Sequence, residues 1–221
     1  MARGTNVKDP KHVEPTVRDQ LRSRVISANT DCTRALYTHS KILVAALNGP
    51  VMAFLGNFDF IYALPQTWLY VGFPFLGIAV EGGASVSFVN RMGLAKANEV
   101  LLFNKKKNAQ ELLECGFIKY DRISSTLTAY NVIFFDSKIF PSQSTESFHA
   151  AVREHLLSEL DGLDHSSVLA IKALLRAGLS EKNNPDAVNL RESYAQAERF
   201  VTGVPMIRFG MIARKEIQHK L

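Results

Sequence analysis

Glu81 lies between an apolar run and two glycines, in Phe75-Leu-Gly-Ile-Ala-Val-Glu-Gly-Gly-Ala84. Ile78, Ala79 and Val80 would form a dry wall beside its carboxylate, and desolvation of that kind raises a carboxyl pKa. Gly82 and Gly83 carry no side chain to block an approaching molecule. A desolvated carboxylate open to a ligand is the profile of a general base. A glutamate in a Gly-Gly turn can equally be a helix-start residue favoured by the dipole of the helix that follows. The local sequence holds the two readings level.

Other chemistries find less support. Cys32 and Cys115 are far apart without a CxxC spacing, which points to a reducing compartment and to no nucleophile. The six histidines are scattered without ligand spacing, so no metal site is expected. The net charge of +5 is modest, and the tight basic cluster Lys105-Lys106-Lys107 reads as a solvated loop rather than a nucleic-acid stripe. A mildly basic surface would also suit a phosphate-bearing small ligand.

Elements that could position Glu81 follow from periodicity. With 221 residues, 47% of them hydrophobic, the chain is ample for one packed domain. Residues 1–20 are polar, contain Pro10 and Pro15, and are expected to form a flexible lead. Leu21 to Ser40 has helical spacing at Leu21, Val25, Ala28, Cys32, Ala35 and Leu36. Ile42 to Leu47 is a buried strand stopped by Asn48-Gly-Pro, with further strands expected at Phe58–Ala63 and Trp68–Phe73. Val86–Met92, Ala95–Phe103 and Ala109–Cys115 read as helices, the last stopping at Gly116.

The last third is helical, with three stripes. Phe148, Val152, Leu156 and Leu160 make one. Val168, Ile171 and Leu175 make another, with Ser166 or Ser167 as cap and Gly178 as stop. Leu190, Tyr194, Ala197 and Val201 make the third. Each stripe is either a core-facing side or a subunit interface. No apolar run reaches membrane-spanning length, and the N-terminus lacks a signal-peptide layout. His219-Lys220-Leu221 is a conservative variant of the terminal tripeptide read by the peroxisomal import receptor, so a peroxisomal location is expected.

Several pieces resemble the enoyl-CoA hydratase/isomerase (crotonase) family, and within it the peroxisomal delta-3, delta-2-enoyl-CoA isomerases of fungi. They are Lys41-Ile-Leu-Val-Ala-Ala-Leu-Asn-Gly-Pro50, Asp59-Phe-Ile-Tyr-Ala63 and Phe75-Leu-Gly-Ile-Ala-Val-Glu-Gly-Gly-Ala-Ser85, then Gly93-Leu-Ala-Lys-Ala-Asn-Glu99 and Glu111-Leu-Leu-Glu-Cys-Gly-Phe-Ile118. The resemblance implies an α/β fold: a crotonase-like spiral of strand-strand-helix repeats, here truncated, with a C-terminal helical region. It implies a partial core over 21–118, an insert over 119–137 and a helical, oligomerising region over 138–221. It also implies an acyl-CoA thioester as substrate, no further cofactor, and a homotrimer or hexamer without nucleic-acid partners.

In that family a glutamate matching Glu81 moves a proton between carbons of the acyl chain, while two backbone N–H groups stabilise an enolate at the thioester oxygen. Met52 and Ala53 would supply N–H groups after the Asn-Gly-Pro turn, and Gly82 and Gly83 would admit substrate. Arg208, Arg214 and Lys215 are candidates for the CoA phosphates. Three departures bear on activity. Residues 1–20 hold no SSGADF-like loop, so one oxyanion donor is expected to be absent. The segment after Asn48-Gly-Pro is shorter than the family pattern by about four residues, where a helix N-terminus would face the oxyanion. Gly116-Phe-Ile118 and Lys138-Ile-Phe-Pro141 are separated by about twenty residues, a long connection. Together the three departures suggest a degraded or mis-spliced gene copy. Removing one oxyanion donor costs about 10²–10³ in rate.

Ala53–Phe58 carries no glutamate to deliver water, so isomerisation is favoured over hydration. The reading is an enoyl-CoA isomerase-like protein, in fatty-acid oxidation or a secondary-metabolite (toxin-type) acyl pathway. The alternatives are an inactive or truncated homologue with only an assembly role, and a hydratase.

Overall fold

A computed structural model describes residues 15–118 and 139–218. The expected insert at 119–137 and the tripeptide His219-Lys220-Leu221 therefore lie outside the described residues.

A long first helix, α1 (17–37), opens the described chain, with π-helical winding over Leu21–Thr30. It begins inside the expected lead. Thr16 and Asp19 form a reciprocal capping box that fixes its start ahead of Leu21, and Gln20 is already buried. Aliphatic β1 (Val44–Leu47) runs to the Asn48-Gly-Pro turn, after which β2 (Pro50–Val51) and a 3-10 turn at Ala53–Asn57 follow. Next come β3 (Phe60–Ala63), β4 (Trp68–Leu69), the short helix α2 (Phe73–Leu76) and the long helix α3 (Ala84–Leu101). The strand expected over Trp68–Phe73 keeps only its first two residues, because Gly72 adopts positive φ and starts α2.

The strands alternate between two small sheets. Parallel β1 and β3 pair from Val44 opposite Phe60 to Leu47 opposite Ala63. Parallel β2 and β4 pair at Pro50 and Trp68, and β5 (Lys107–Asn108) joins β4 antiparallel. Each strand-strand-helix unit therefore contributes one strand to each sheet, which is the winding of a spiral. Ile139 bridges Ala63 in parallel, and Phe140 donates to the Ala63 carbonyl at 2.9 Å, so the returning chain makes a single bridge to β3.

Helix α3 breaks at Gly93, where φ is 74° and ψ 159°, dividing it where the sequence places two helices. Helix α4 (Ala109–Glu114) carries the capping box of Asn108 and Glu111 and ends at positive-φ Gly116. The core gathers Leu47, Ile61, Leu69, Phe88, Leu112 and Phe117, with Phe88 edge-on to Phe117 at 5.0 Å. A second cluster packs Phe148 and Val152 of α5 (Thr145–Leu160) against Tyr62 and Leu64.

The remaining helices are α6 (His165–Lys182), α7 (Pro185–Val201) and α8 (Val204–Ala213), and the apolar stripes expected on α6 and α7 face largely outward rather than into the core. Asp164 caps α6 rather than either serine, and α6 runs on through Gly178. Ile171 and Leu175 are exposed, as are Leu190, Tyr194 and Val201 on α7. What α7 buries is Val188, Asn189, Glu192, Ser193, Gln196 and Ala197, because its polar face meets α1 and the segment around Glu81. Among the described residues no helix is long and apolar enough to cross a membrane.

Candidate active site

Glu81 sits, half-buried, just ahead of α3, on a turn that the rest of the molecule grips from both sides. Gly82 and Gly83 both take positive φ, 76° and 74°, which a side chain would resist. A Cβ on Gly82 would stand 3.2 Å from the Phe54 ring and 3.4 Å from the Ala53 carbonyl carbon, so the 3-10 turn lies directly against it. Asn57 joins the two, donating to the Gly82 carbonyl at 2.8 Å and to the Phe54 carbonyl at 3.2 Å.

The N–H groups of the turn are also held. Gly82 donates to Asn29 Oδ1 of α1 at 3.3 Å. Gly83 donates to Glu192 Oε2 of α7 at 2.7 Å, and Ser85 donates to Glu192 Oε1 through its N–H at 2.9 Å and its hydroxyl at 2.5 Å. One helical turn along α7, Gln196 accepts from Ala79 N–H at 2.7 Å and donates to Glu81 Oε2 at 3.4 Å. Seven of the ten buried polar residues described lie on α1 or α7, so a polar seam rather than a hydrophobic one backs the turn.

Electrostatics follow from this enclosure. Burial pushes the Glu81 carboxyl above the ordinary glutamate range, and the nearby Glu192 charge pushes it further. Burial also raises Glu192, against the hydrogen bonds from Ser85 and Gly83 that favour its charged form. A carboxyl with raised pKa, held but not fully consumed by hydrogen bonds, can accept and return a proton.

The other expected site residues are distributed as follows. Met52 and Ala53 open the 3-10 turn, with Ala53 buried and Met52 exposed, and Ala53 touches the space above Gly82. Gly82 packs against Phe54 and Ala53, and the N–H groups of Gly82 and Gly83 are engaged by Asn29 and Glu192. Arg208, Arg214 and Lys215 do not form one cluster. Arg208 bonds the Phe75 carbonyl and stacks on its ring at 5.4 Å, whereas Arg214 is paired with Glu216 at 2.5 Å, next to positive-φ Lys215.

The lysine cluster is more ordered than a solvated loop. Buried Lys107 pairs with Glu99 at 2.6 Å and Glu111 at 3.3 Å, and Lys106 lies 4.2 Å from the Trp68 ring centre. A cavity of about 650 Å³ opens beside these lysines, lined also by Phe75 and Phe103, and an apolar one of about 360 Å³ lies between β1 and α5. Glu81 lines neither. No group of three or more metal-binding side chains occurs among the described residues.

Asn29, Asn57, Glu192 and Gln196 escape the sequence reading. A signal for the last two exists: Asn189, Glu192, Ser193 and Gln196 recur at helical spacing on α7, and a stripe of amides and hydroxyls with a lone acid suits a buried polar seam.

Two small sheets wound by strand-strand-helix units, with an acidic turn held between α1, α7 and the 3-10 turn, make a crotonase-type spiral. No protein-family profile matches the chain. It is 35% identical over 226 residues to the Delta(3,5)-Delta(2,4)-dienoyl-CoA isomerase of Pyricularia oryzae, covering 98% of this chain and 74% of the relative. It is 30% identical over 220 residues to the 3,2-trans-enoyl-CoA isomerase of Saccharomyces cerevisiae, covering 96% of this chain and 71% of that one. The fold matches an enoyl-CoA hydratase/isomerase from Pseudoalteromonas atlantica with a TM-score of 0.67 at 20% identity, over 86% of this chain and 68% of that one. The chain belongs to the enoyl-CoA hydratase/isomerase family.

Proposed function

We propose that the protein is an enoyl-CoA isomerase, in which the Glu81 carboxylate removes a proton from carbon two of a 3-enoyl thioester and returns it to carbon four. The double bond moves into conjugation, and no atom is gained or lost. The observation that carries this reading is the Glu81 carboxyl itself: raised by burial, facing a second carboxylate, and held on a side-chain-free turn. The isomerase relatives support the reaction class. The thioester acidifies its neighbouring C–H only weakly, so the base works with N–H donors that steady the enolate. The N–H groups of Met52 and Ala53, at the start of the 3-10 turn that packs against Gly82, are assigned that role. Arg208, Arg214 and Lys215 would meet the CoA phosphates one at a time rather than as a cluster.

Isomerisation is favoured over hydration because Ala53–Phe58 carries no glutamate to deliver water, and Glu192, a second carboxylate near the base, accepts from Gly83 and Ser85. Peroxisomal import through His219-Lys220-Leu221 belongs to the same reading, as does a role in fatty-acid oxidation or a secondary-metabolite acyl pathway. A second reading, an inactive homologue that only assembles, is favoured by one observation. Leu174 and Leu175 on α6 are 72% and 64% exposed beside exposed Ile171 and Leu179, a surface suited to copies of the chain in a trimer or hexamer.

Purified protein given a 3-enoyl-CoA decides between them. Conversion to the conjugated isomer, followed by absorbance and abolished in Glu81→Gln, establishes the enzyme. Absence of turnover in a protein that still self-associates establishes the assembly role.

A further inference from the structure

We propose that Glu192 is a positioning residue for Glu81, holding the Gly83–Ser85 turn from α7 so that the Glu81 carboxyl is aimed at its substrate, with Gln196 as its partner one turn on. The proposal rests on the reading of Glu81 as the base.

The geometry is a bracket. Gln196 takes the Ala79 N–H two residues before Glu81, and Glu192 takes the Gly83 N–H two residues after it. The Glu81 carbonyl is in turn bonded by Ala84 N–H at 3.3 Å, inside the segment the bracket holds. Glu192 and Gln196 are one helical turn apart, so a single face of α7 sets both ends of the segment. Helix α3 has Gly83 as its N-cap and makes no side-chain cap of its own. The Glu192 carboxylate fills that place from more than a hundred residues away, at the end of the helix where a negative charge is favoured.

Stability alone does not explain this choice. Glu192 is 5% exposed, beside a second carboxylate and without an ion-pair partner among the described residues. Burying a charge there is costly. A charged group reaching in from α7 makes physical sense if the position and ionisation of Glu81 are what it controls. The surroundings leave it that control. The charge acting on Glu81 is that of Glu192, while Arg191 on α7 acts on Glu192 itself. Arg199 on α7 is bonded to the Gly77 carbonyl. Asn29 and Thr33 from α1, Asn57 from the 3-10 turn and Ser85 from α3 are neutral.

The test compares Glu192→Gln and Glu192→Asp with the parent and with Glu81→Gln. Two readouts are taken: steady-state kinetics on a 3-enoyl-CoA, and the pH titration of the Glu81 carboxyl carbon by NMR, assigned by its loss in Glu81→Gln. Glu192→Gln is expected to lower kcat on the order of tenfold to a hundredfold with KM little changed, since Glu192 does not meet the substrate. The same variant is expected to move the Glu81 midpoint downward. Glu192→Asp keeps the charge but not the reach, so it is expected to lose kcat while holding the midpoint near that of the parent.

A folded Glu192→Gln with kcat within about twofold of the parent and an unmoved Glu81 midpoint overturns the proposal. Should Glu192→Gln fail to fold, Ser85→Ala removes the hydroxyl donor alone. A several-fold loss of kcat then supports the proposal, and parental kcat overturns it. An active Glu81→Gln would instead sink the reading of the base, and the NMR midpoint would still report whether Glu192 governs Glu81.

Discussion

Lys172 on α6 donates to Asp59 Oδ2 at 2.7 Å, bridging 113 residues of sequence to fasten the helical cap onto the start of β3. Arg176, one turn further along α6, reaches Asp59 Oδ1 at 3.1 Å, and the Leu43 N–H donates to Asp59 Oδ2 at 2.7 Å. Asp59 is thereby the knot between β3, the segment leading into β1, and α6. Lys172 is buried although its helix exposes leucines, because its ammonium finds this acid.

Asp59→Asn is expected to destabilise the fold by about 2 kcal/mol, the scale of losing hydrogen bonds to a charged group, read from urea unfolding at neutral pH. Burial pushes the Asp59 carboxyl up, but the Leu43 N–H, Lys172 and Arg176 outweigh it and hold it below the ordinary aspartate range. A depressed folded pKa gives stability that is complete above the unfolded value and is lost as pH falls through the folded one. The difference between parent and variant should therefore shrink in acid. A difference that stays constant down to the acid transition would remove Asp59 from that role.

Glu81 carries the opposite sign. Its folded pKa is raised by burial and by Glu192, so its contribution is fully present below the unfolded glutamate value and is lost as pH rises through the raised one. Glu81→Gln is expected to melt higher than the parent at neutral pH, with the gain vanishing below the ordinary glutamate range. Removing a carboxylate that is buried beside another one is the source of that gain. Thermal melts of both proteins across that pH span check it, and a variant less stable at neutral pH would contradict it.

Gly82 is the backbone position most sensitive to substitution in the site. Gly82→Ala places a Cβ against Phe54 and Ala53 at a φ of 76°. The left-handed conformation costs a non-glycine residue roughly 1–2 kcal/mol. The variant is expected to lose about that much in urea unfolding and most of its turnover. Parental stability would mean that the turn relaxes more freely than its hydrogen bonds imply.

Much of the spiral can be read directly from residue order. The aliphatic run ending at Asn48-Gly-Pro, the Gly93 break in α3 and the Gly116 stop after α4 are local signals, because backbone conformation there is set by neighbours in sequence. Glu81 could be singled out for the same reason: an acid between Ile-Ala-Val and Gly-Gly is a local anomaly. That Asn29, Asn57, Glu192 and Gln196 would meet it could not be read in the same way. Whether the polar or the apolar side of an amphipathic helix is buried depends on what that helix meets, and α7 turns Asn189, Glu192, Ser193 and Gln196 inward while leaving Leu190 and Tyr194 outside. The composition of a helix face fixes its contrast, not its direction. Direction, and with it the hold on Glu81, arises only when α1 and α7, far apart in the chain, close on the same turn.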